Sequence, residues 1–292
     1  MMINLFLSPK NKLEHNLQKL INFFFKIFFK LFETQIKIET SLLSGDFFRL
    51  ISDSEFPNTS QKNKIIFSQL DELKKISEKK IKQKNWIFHN TDLTFGIKEY
   101  KKIMKLRPKS CFSTNMIIEK KNFYNIPIGL ENLKYNKFYL GHKSLIKNNI
   151  SSTKKQASII YGFSMTHKER FKYISVLKKN KLCLHTYGWN NFIYRKILSR
   201  YMFVFCPRGN GYDTHRIWEA FYLKTVPILI KDKFNSFYEK NDFPVIMIDE
   251  VDDINFFSAK KLEELYDNLK IKFYNKKIYP KYWKNFIKNK IK

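Results

Sequence analysis

Three observations predict an α/β chain, with a parallel sheet in the first half and a doubly wound domain in the second. The second half alternates short apolar runs with longer amphipathic segments, the pattern that parallel strands and crossover helices require. The first half repeats that alternation more loosely. A length of 292 residues with 43% hydrophobic residues suits one large domain or two smaller ones, each with a real core.

The elements are justified in chain order. Residues 20–32, "LINFFFKIFFKLF", are apolar but interrupted by Lys26 and Lys30, too short and too charged for a membrane span. No small-residue cleavage site follows, which argues against a signal peptide. His15, Lys19, Asn22, Lys26 and Lys30 recur at steps of three and four, giving one polar stripe on a helix. Residues 1–33 therefore form a basic amphipathic helical region, either lying on anionic lipid or packed on its own domain.

Residues 34–150 are assigned to a first domain. "SQLDELKKISEKKIKQ" (68–83) is a helix with Leu70, Leu73 and Ile76 at helical spacing. "NWIFHN" (85–90) is a short buried strand followed by a turn. "YKKIMKLR" (100–107) is a helix stopped by Pro108. "SCFSTN" (110–115) and "NIPIGL" (125–130) are further strands. The polar, aperiodic stretch 148–158 reads as the linker.

The second domain, 151–277, carries strands at 158–163, 181–187, 201–207, 226–230 and 244–249. Helices are expected at 167–180, 190–200 and 213–224. Residues 278–292 form a C-terminal helix that crosses back over the first domain.

Lys and Arg outnumber Asp and Glu by 55 to 26, a net charge of +29 that favours anionic partners. The lysines are spread along the chain, and no zinc finger, RNP-type signature or Arg-rich arm accompanies them. Abundant Lys, Asn, Ile and Phe also fit an AT-rich coding sequence. Cys111, Cys183 and Cys206 lie in apolar contexts without metal-ligand spacing, as buried thiols in a reducing compartment do.

The densest chemistry lies in "FVFCPRGNGYDTHRIWEAFYLKTVPILI" (203–230). The chain has 8 Gly and 8 Pro, yet two of each fall here. Pro207 ends a strand. Gly209 and Gly211 permit positive φ and close backbone approach. Asp213 is the expected helix N-cap, with Thr214 as the alternative. The result is a β–turn–α–β unit whose helix N-terminus, off the carboxyl end of a strand, attracts an anion. Arg208 and Arg216 add bidentate phosphate contacts, and Glu219, one turn further on, suits two ribose hydroxyls. The run GNGYDT is neither a P-loop nor GxGxxG. The bland alternative is a tight turn with Arg216 and Glu219 as a surface i,i+3 pair.

With these residues in view, the chain resembles exostosin-like glycosyltransferases of the family-47 type and their bacterial and viral relatives. "CPRGNGYDTHRIWEAFYLKTVPILI" (206–230) carries a Pro-Arg-Gly turn, an Arg-x-x-Glu-Ala helix and a "TVPI" strand. "IFHNTD" (87–92), "IPIGLEN" (126–132) and "IIYGFSMTHKER" (159–170) are similar more loosely. The resemblance implies a GT-B fold, two Rossmann-like domains facing across a cleft, with the nucleotide-sugar donor on the C-terminal domain. It implies that Arg208 and Arg216 hold the diphosphate and Glu219 the ribose. Gly209, Asn210 and Gly211 bring backbone to the phosphates, and Asp213 and His215 shape the turn or touch the sugar. It further implies inverting transfer without a bound metal or other cofactor, which agrees with the lack of a metal-using Asp-x-Asp motif.

On the acceptor side Asp92 is the first candidate base, with His89 and Glu131 as the others; a turn cap is the bland reading of Asp92. Lys224 departs from the family by standing where relatives have Gly, at a left-handed helix cap.

The implied partners are a nucleotide-sugar donor, a glycan or lipid-linked acceptor and an anionic membrane surface, with no specific nucleic acid. The implied setting is cytoplasmic, peripheral on the inner face of a membrane, in polysaccharide or glycoconjugate synthesis. The alternatives are a fucosyltransferase-like GT-B enzyme, or a non-catalytic basic protein binding nucleic acid or carbohydrate.

Overall fold

The computed structural model describes residues 41–60, 62, 64–79, 81–133, 142, 145, 154–186 and 191–291, with 16, 17, 19–21, 23, 24 and 27 of an N-terminal helix. The expected polar stripe lies outside the described residues except for Lys19, which is exposed.

Two parallel five-stranded sheets organise the chain, the α/β arrangement of a GT-B-like fold. The first comprises β1 (Ser54–Glu55), β2 (Ile65–Ser68), β3 (Asn85–Phe88), β4 (Ser110–Ser113) and β5 (Phe123–Asn125), in sequential order. Register sets Ile66, Trp86, Cys111 and Phe123 side by side, and Phe67, Ile87, Phe112 and Tyr124 in the next row. Successive residues point to opposite faces. The Trp86 row packs with Leu73 and Ile76 of α2 (Leu73–Glu78) and with Ile103 of α3 (Ile97–Met104). The Phe67 row joins Phe47 and Phe48 of α1 (Gly45–Leu50) in a core continuous with that of the second sheet. Burial on both faces explains why these strands read as continuous apolar runs instead of alternating ones.

The second sheet has the order β10-β9-β8-β6-β7, with β6 (Gln156–Tyr161), β7 (Cys183–His185), β8 (Tyr201–Phe205), β9 (Val226–Ile230) and β10 (Ile246–Ile248). Its helices are α4 (Arg170–Leu177), α5 (Asn191–Leu198), α6 (His215–Tyr222), α7 (Ser236–Lys240) and α8 (Ala259–Leu269). Strand order reverses between β6 and β8. In doubly wound sheets the crevice at such a switch point, outside the carboxyl ends of the strands, is where ligands bind.

Helix α9 (Pro280–Lys290) opens with Pro at its first turn, where no intrahelical N–H is needed. Its Phe286 packs on Phe112 and Tyr124 of the first sheet, and its Trp283 on Phe237 of α7.

Several expectations shift. The linker expected over 148–158 gives way to β6 at Gln156; residues 148–153 lie outside the described ones. The strand expected over 125–130 lies earlier: β5 spans Phe123–Asn125, and beyond Asn125 only Leu130 bridges again, to Ser44. The three cysteines are buried free thiols. Lys224 has φ +53°, the left-handed conformation expected of it.

Candidate functional site

The switch point is built from two loops. After β6 the chain runs from Gly162 to Arg170, the first residue of α4. After β8 it runs through Cys206-Pro207-Arg208-Gly209-Asn210-Gly211 to α6. Arg170 staples the two. Its Nε donates to Arg208 O at 2.9 Å, Nη2 to Pro207 O at 3.1 Å and Nη1 to Ser164 O at 2.5 Å. Burial, and then the Arg216 charge beside it, lower the Arg170 pKa. Two guanidinium groups thus stand close enough to oppose each other.

Arg208 lies over the Tyr212 ring, 4.0 Å from guanidinium carbon to centroid, and Arg216 over Tyr194 at 5.1 Å. The Nε of each is buried without a hydrogen-bond partner, as is Thr214 Oγ1. Such donors normally find partners, and leaving one unmet costs about 1–3 kcal/mol.

The glycines serve a purpose different from the expected one. Neither Gly209 nor Gly211 has positive φ; among the described glycines only Gly129 does, at +67°. Gly211 is required by proximity instead: a Cβ there would meet Asn115 Nδ2 of the first domain at 2.9 Å. At Gly209 a Cβ would meet Arg170 Nη2 at 3.3 Å.

Asp213 is not the N-cap. Thr214 is, with extended backbone and no side-chain bond. The Asp213 carboxylate, buried, instead accepts from Ile128 N at 2.8 Å, Tyr238 OH at 2.8 Å and Trp218 Nε1 at 2.9 Å, while Asp213 N donates to Asn115 Oδ1 at 2.8 Å. Burial pushes its pKa up to about 6, against the hydrogen bonds that lower it. Asp213 is a latch between the domains.

Across the cleft, a pocket of about 220 Å³ is walled in part by Asn90, Thr91, Asp92, Glu131, Asn132 and His215. Asp92 Oδ2 accepts from Asn210 Nδ2 at 3.3 Å, so the acidic side chain meets the tip of the opposite turn. His215 Nδ1–H donates to Gly129 O at 2.8 Å, which leaves Nε2 toward Glu131 Oε2, 3.5 Å away.

His89 does not belong with them. It is buried against Phe48, its Nε2–H donates to Pro127 O at 3.1 Å, and its Nδ1 accepts from Asn90 N at 2.7 Å. Burial lowers its pKa to about 4. A ring with both nitrogens occupied inside the core has no free lone pair for a substrate proton.

Glu219 is only partly free for a ligand. Its Oε1 accepts from Arg195 Nε at 2.9 Å and Nη2 at 2.7 Å. Sequence reasoning missed Arg195 and the role of Arg170. Both lie on helices that it did predict, and a charged residue on a buried helix face was the available signal. No group of three His, Cys, Asp or Glu among the described residues is arranged to hold a metal ion.

No protein-family model matches the chain, and no curated protein matches it. Among solved structures it is similar to the UDP-GlcNAc 2-epimerase of Methanocaldococcus jannaschii in complex with UDP-GlcNAc and UDP, at 13% identity and TM-score 0.37 over 78% of this chain and 76% of that one. A second structure of that enzyme is similar at 11% identity and TM-score 0.35, over 78% and 77%. With likeness this distant, function has to be read from the side chains themselves.

Proposed function

We propose that the chain is a glycosyltransferase that moves a sugar from a nucleoside-diphosphate sugar to a glycan or lipid-linked acceptor. The observation that supports this most directly is the cluster of donors at the switch point: Arg208 Nε, Arg216 Nε and Thr214 Oγ1 are buried without a hydrogen bond among the described residues, while Arg208 Nη2 reaches Asn210 O at 3.3 Å and Arg216 interacts with Tyr194. A diphosphate supplies the acceptor oxygens and negative charge that these groups lack. Glu219, turned by Arg195, faces the ribose.

In the reaction an acceptor hydroxyl attacks the anomeric carbon as the bond to the diphosphate oxygen breaks, inverting that centre. The electron pair leaves on the diphosphate, where the arginines stabilise developing charge without a bound metal. The hydroxyl proton passes to a base on the opposite wall. Asp92 is our choice, and the Glu131–His215 pair is the second; the buried His89 is withdrawn. The donor half corresponds to residues 151–277 and the acceptor half to 34–150. We assign the enzyme to the cytoplasmic face of a membrane, with residues 1–33 as the contact. Leu17, Leu20, Phe23, Phe24 and Ile27 are exposed there, which favours the lipid-facing reading. No helix among the described residues is long and apolar enough to cross a membrane.

Calorimetric titration with UDP-, GDP- and CMP-sugars tests the donor site. A hydrogen bond to a charged group is worth about 1.5–3 kcal/mol, so Arg208→Ala and Arg216→Ala should each weaken binding about 10- to 150-fold. Undiminished affinity in both variants would refute the assignment.

A further inference from the structure

A second cavity, of about 370 Å³, lies where residues 116–120 and β5 meet α7 and α9. It shares no lining residue with the pocket beside His215. Its walls include Ile117, Ile118, Phe237, Tyr282, Trp283 and Phe286.

Several polar groups along this wall are already used, while the Tyr124, Tyr282 and Ser236 hydroxyls have no hydrogen bond among the described residues. Asn125 Oδ1 accepts from Met116 N at 3.4 Å, Asn241 Nδ2 donates to Phe237 O at 2.7 Å, and Trp283 Nε1 donates to Lys277 O at 2.7 Å. Glu119 is paired with Lys240. What remains at the rim is cationic. Lys120 and Lys233 are exposed and have no carboxylate partner among the described residues. Lys290 Nζ sits 5.4 Å from the Tyr124 ring centroid at the same edge.

These facts discriminate between ligands. A glycan brings many hydroxyls, each needing a partner on burial, and the isoleucine, phenylalanine and methionine side chains that form much of this wall have none to offer. An apolar chain needs none and gains by leaving water. An anionic head complements the ammonium groups of Lys233 and of Lys120, the latter 5.9 Å from the Tyr100 ring centroid and without a carboxylate. We propose that the cavity binds an anionic amphiphile, a single apolar chain bearing a phosphate. The site rests on the cavity and its rim, and it stands whether or not the chain transfers sugar; if it does, the ligand is the carrier end of a lipid-linked acceptor.

The test is calorimetric titration of the full chain with decyl phosphate below its micelle-forming concentration, read as one site. Each buried methylene is worth about fourfold in affinity, so hexyl phosphate, four methylenes shorter, should bind about 250-fold more weakly. Decanol should bind at least about tenfold more weakly, and inorganic phosphate alone should give no measurable heat. Lys120→Glu with Lys233→Glu should weaken decyl phosphate at least about tenfold. Ile118→Trp, which fills the cavity, should abolish binding while the thermal response to nucleotide sugars is kept. Equal affinity for decanol and decyl phosphate, unchanged binding in the double lysine variant, or displacement by maltotriose would overturn the proposal. Should Ile118→Trp fail to fold, the two exposed lysines carry the test, with circular dichroism as the folding control.

Discussion

The Arg195–Glu219 pair offers the sharpest test of how helix α6 is held. Both nitrogen contacts converge on one carboxylate oxygen, and the side chains are 0% and 11% exposed. Solvent screening is therefore slight. Arg195→Met keeps the apolar stem but removes the charge, stranding a carboxylate inside the second domain. Breaking a buried pair from one side costs about 3–5 kcal/mol, because the survivor keeps its desolvation penalty without compensation. Removing both charges is a different matter: Arg195→Met with Glu219→Leu should return to within about 2 kcal/mol of the parent. Urea unfolding followed by tryptophan fluorescence measures all four members of the cycle, since a change in midpoint at constant slope reports stability. The reasoning fails if Arg195→Met costs less than about 1 kcal/mol, or if the double variant costs the sum of the singles.

Three further predictions concern the cleft and its supports. Asp92→Asn should lower turnover while nucleotide affinity by calorimetry stays unchanged; full turnover would eliminate it as the base. Lys224→Gly should stabilise the fold by about 1 kcal/mol, since Lys pays for its φ of +53° and recovers only a cation–π contact with Tyr274. A thermal midpoint raised by about 2–4 °C is expected, and a fall would refute it. His89 and Asp213 should tilt the pH profile in opposite directions. A His held at about 4, below its unfolded 6.5, stabilises the fold above pH 6.5, and that contribution is lost as pH falls toward 4. An Asp held at about 6, above its unfolded 3.8, contributes below 3.8, and that is lost as pH rises through 6. Between pH 6 and 4, acidification should therefore destabilise His89→Gln less than the parent and Asp213→Asn more. Parallel profiles from urea unfolding would sink this account.

Local pattern revealed much of the second domain. Strands such as Val226–Ile230 and helices such as His215–Tyr222 announce themselves by apolar runs and helical spacing. The Pro-Arg-Gly turn and Lys224 were legible because one residue type at one offset has a definite backbone consequence. Helix Ala259–Leu269 carries the same signal, with Leu262, Leu265 and Leu269 at helical spacing. Strand Ile65–Ser68 escaped because four residues are too few to separate strand from helix. What could not be read locally depends on partners far along the chain. Gly211 is small for the sake of Asn115, Asp213 reaches to Ile128, and Arg195 finds Glu219 one helix away. His89 looked like a candidate base until the core that buries it was visible.

Asn115 and Asp213 tie the Pro-Arg-Gly turn to the first domain as well as to its own. Seizing that turn and bringing the two halves together are therefore linked equilibria, and linkage runs both ways. Under the proposed function, a donor that tightens residues 208–215 would also steady Asp92 through Asn210, before any acceptor arrives. Ordered kinetics, donor first and acceptor second, would follow from this wiring alone. The second domain expressed by itself should then lose affinity for nucleotide even with every arginine in place.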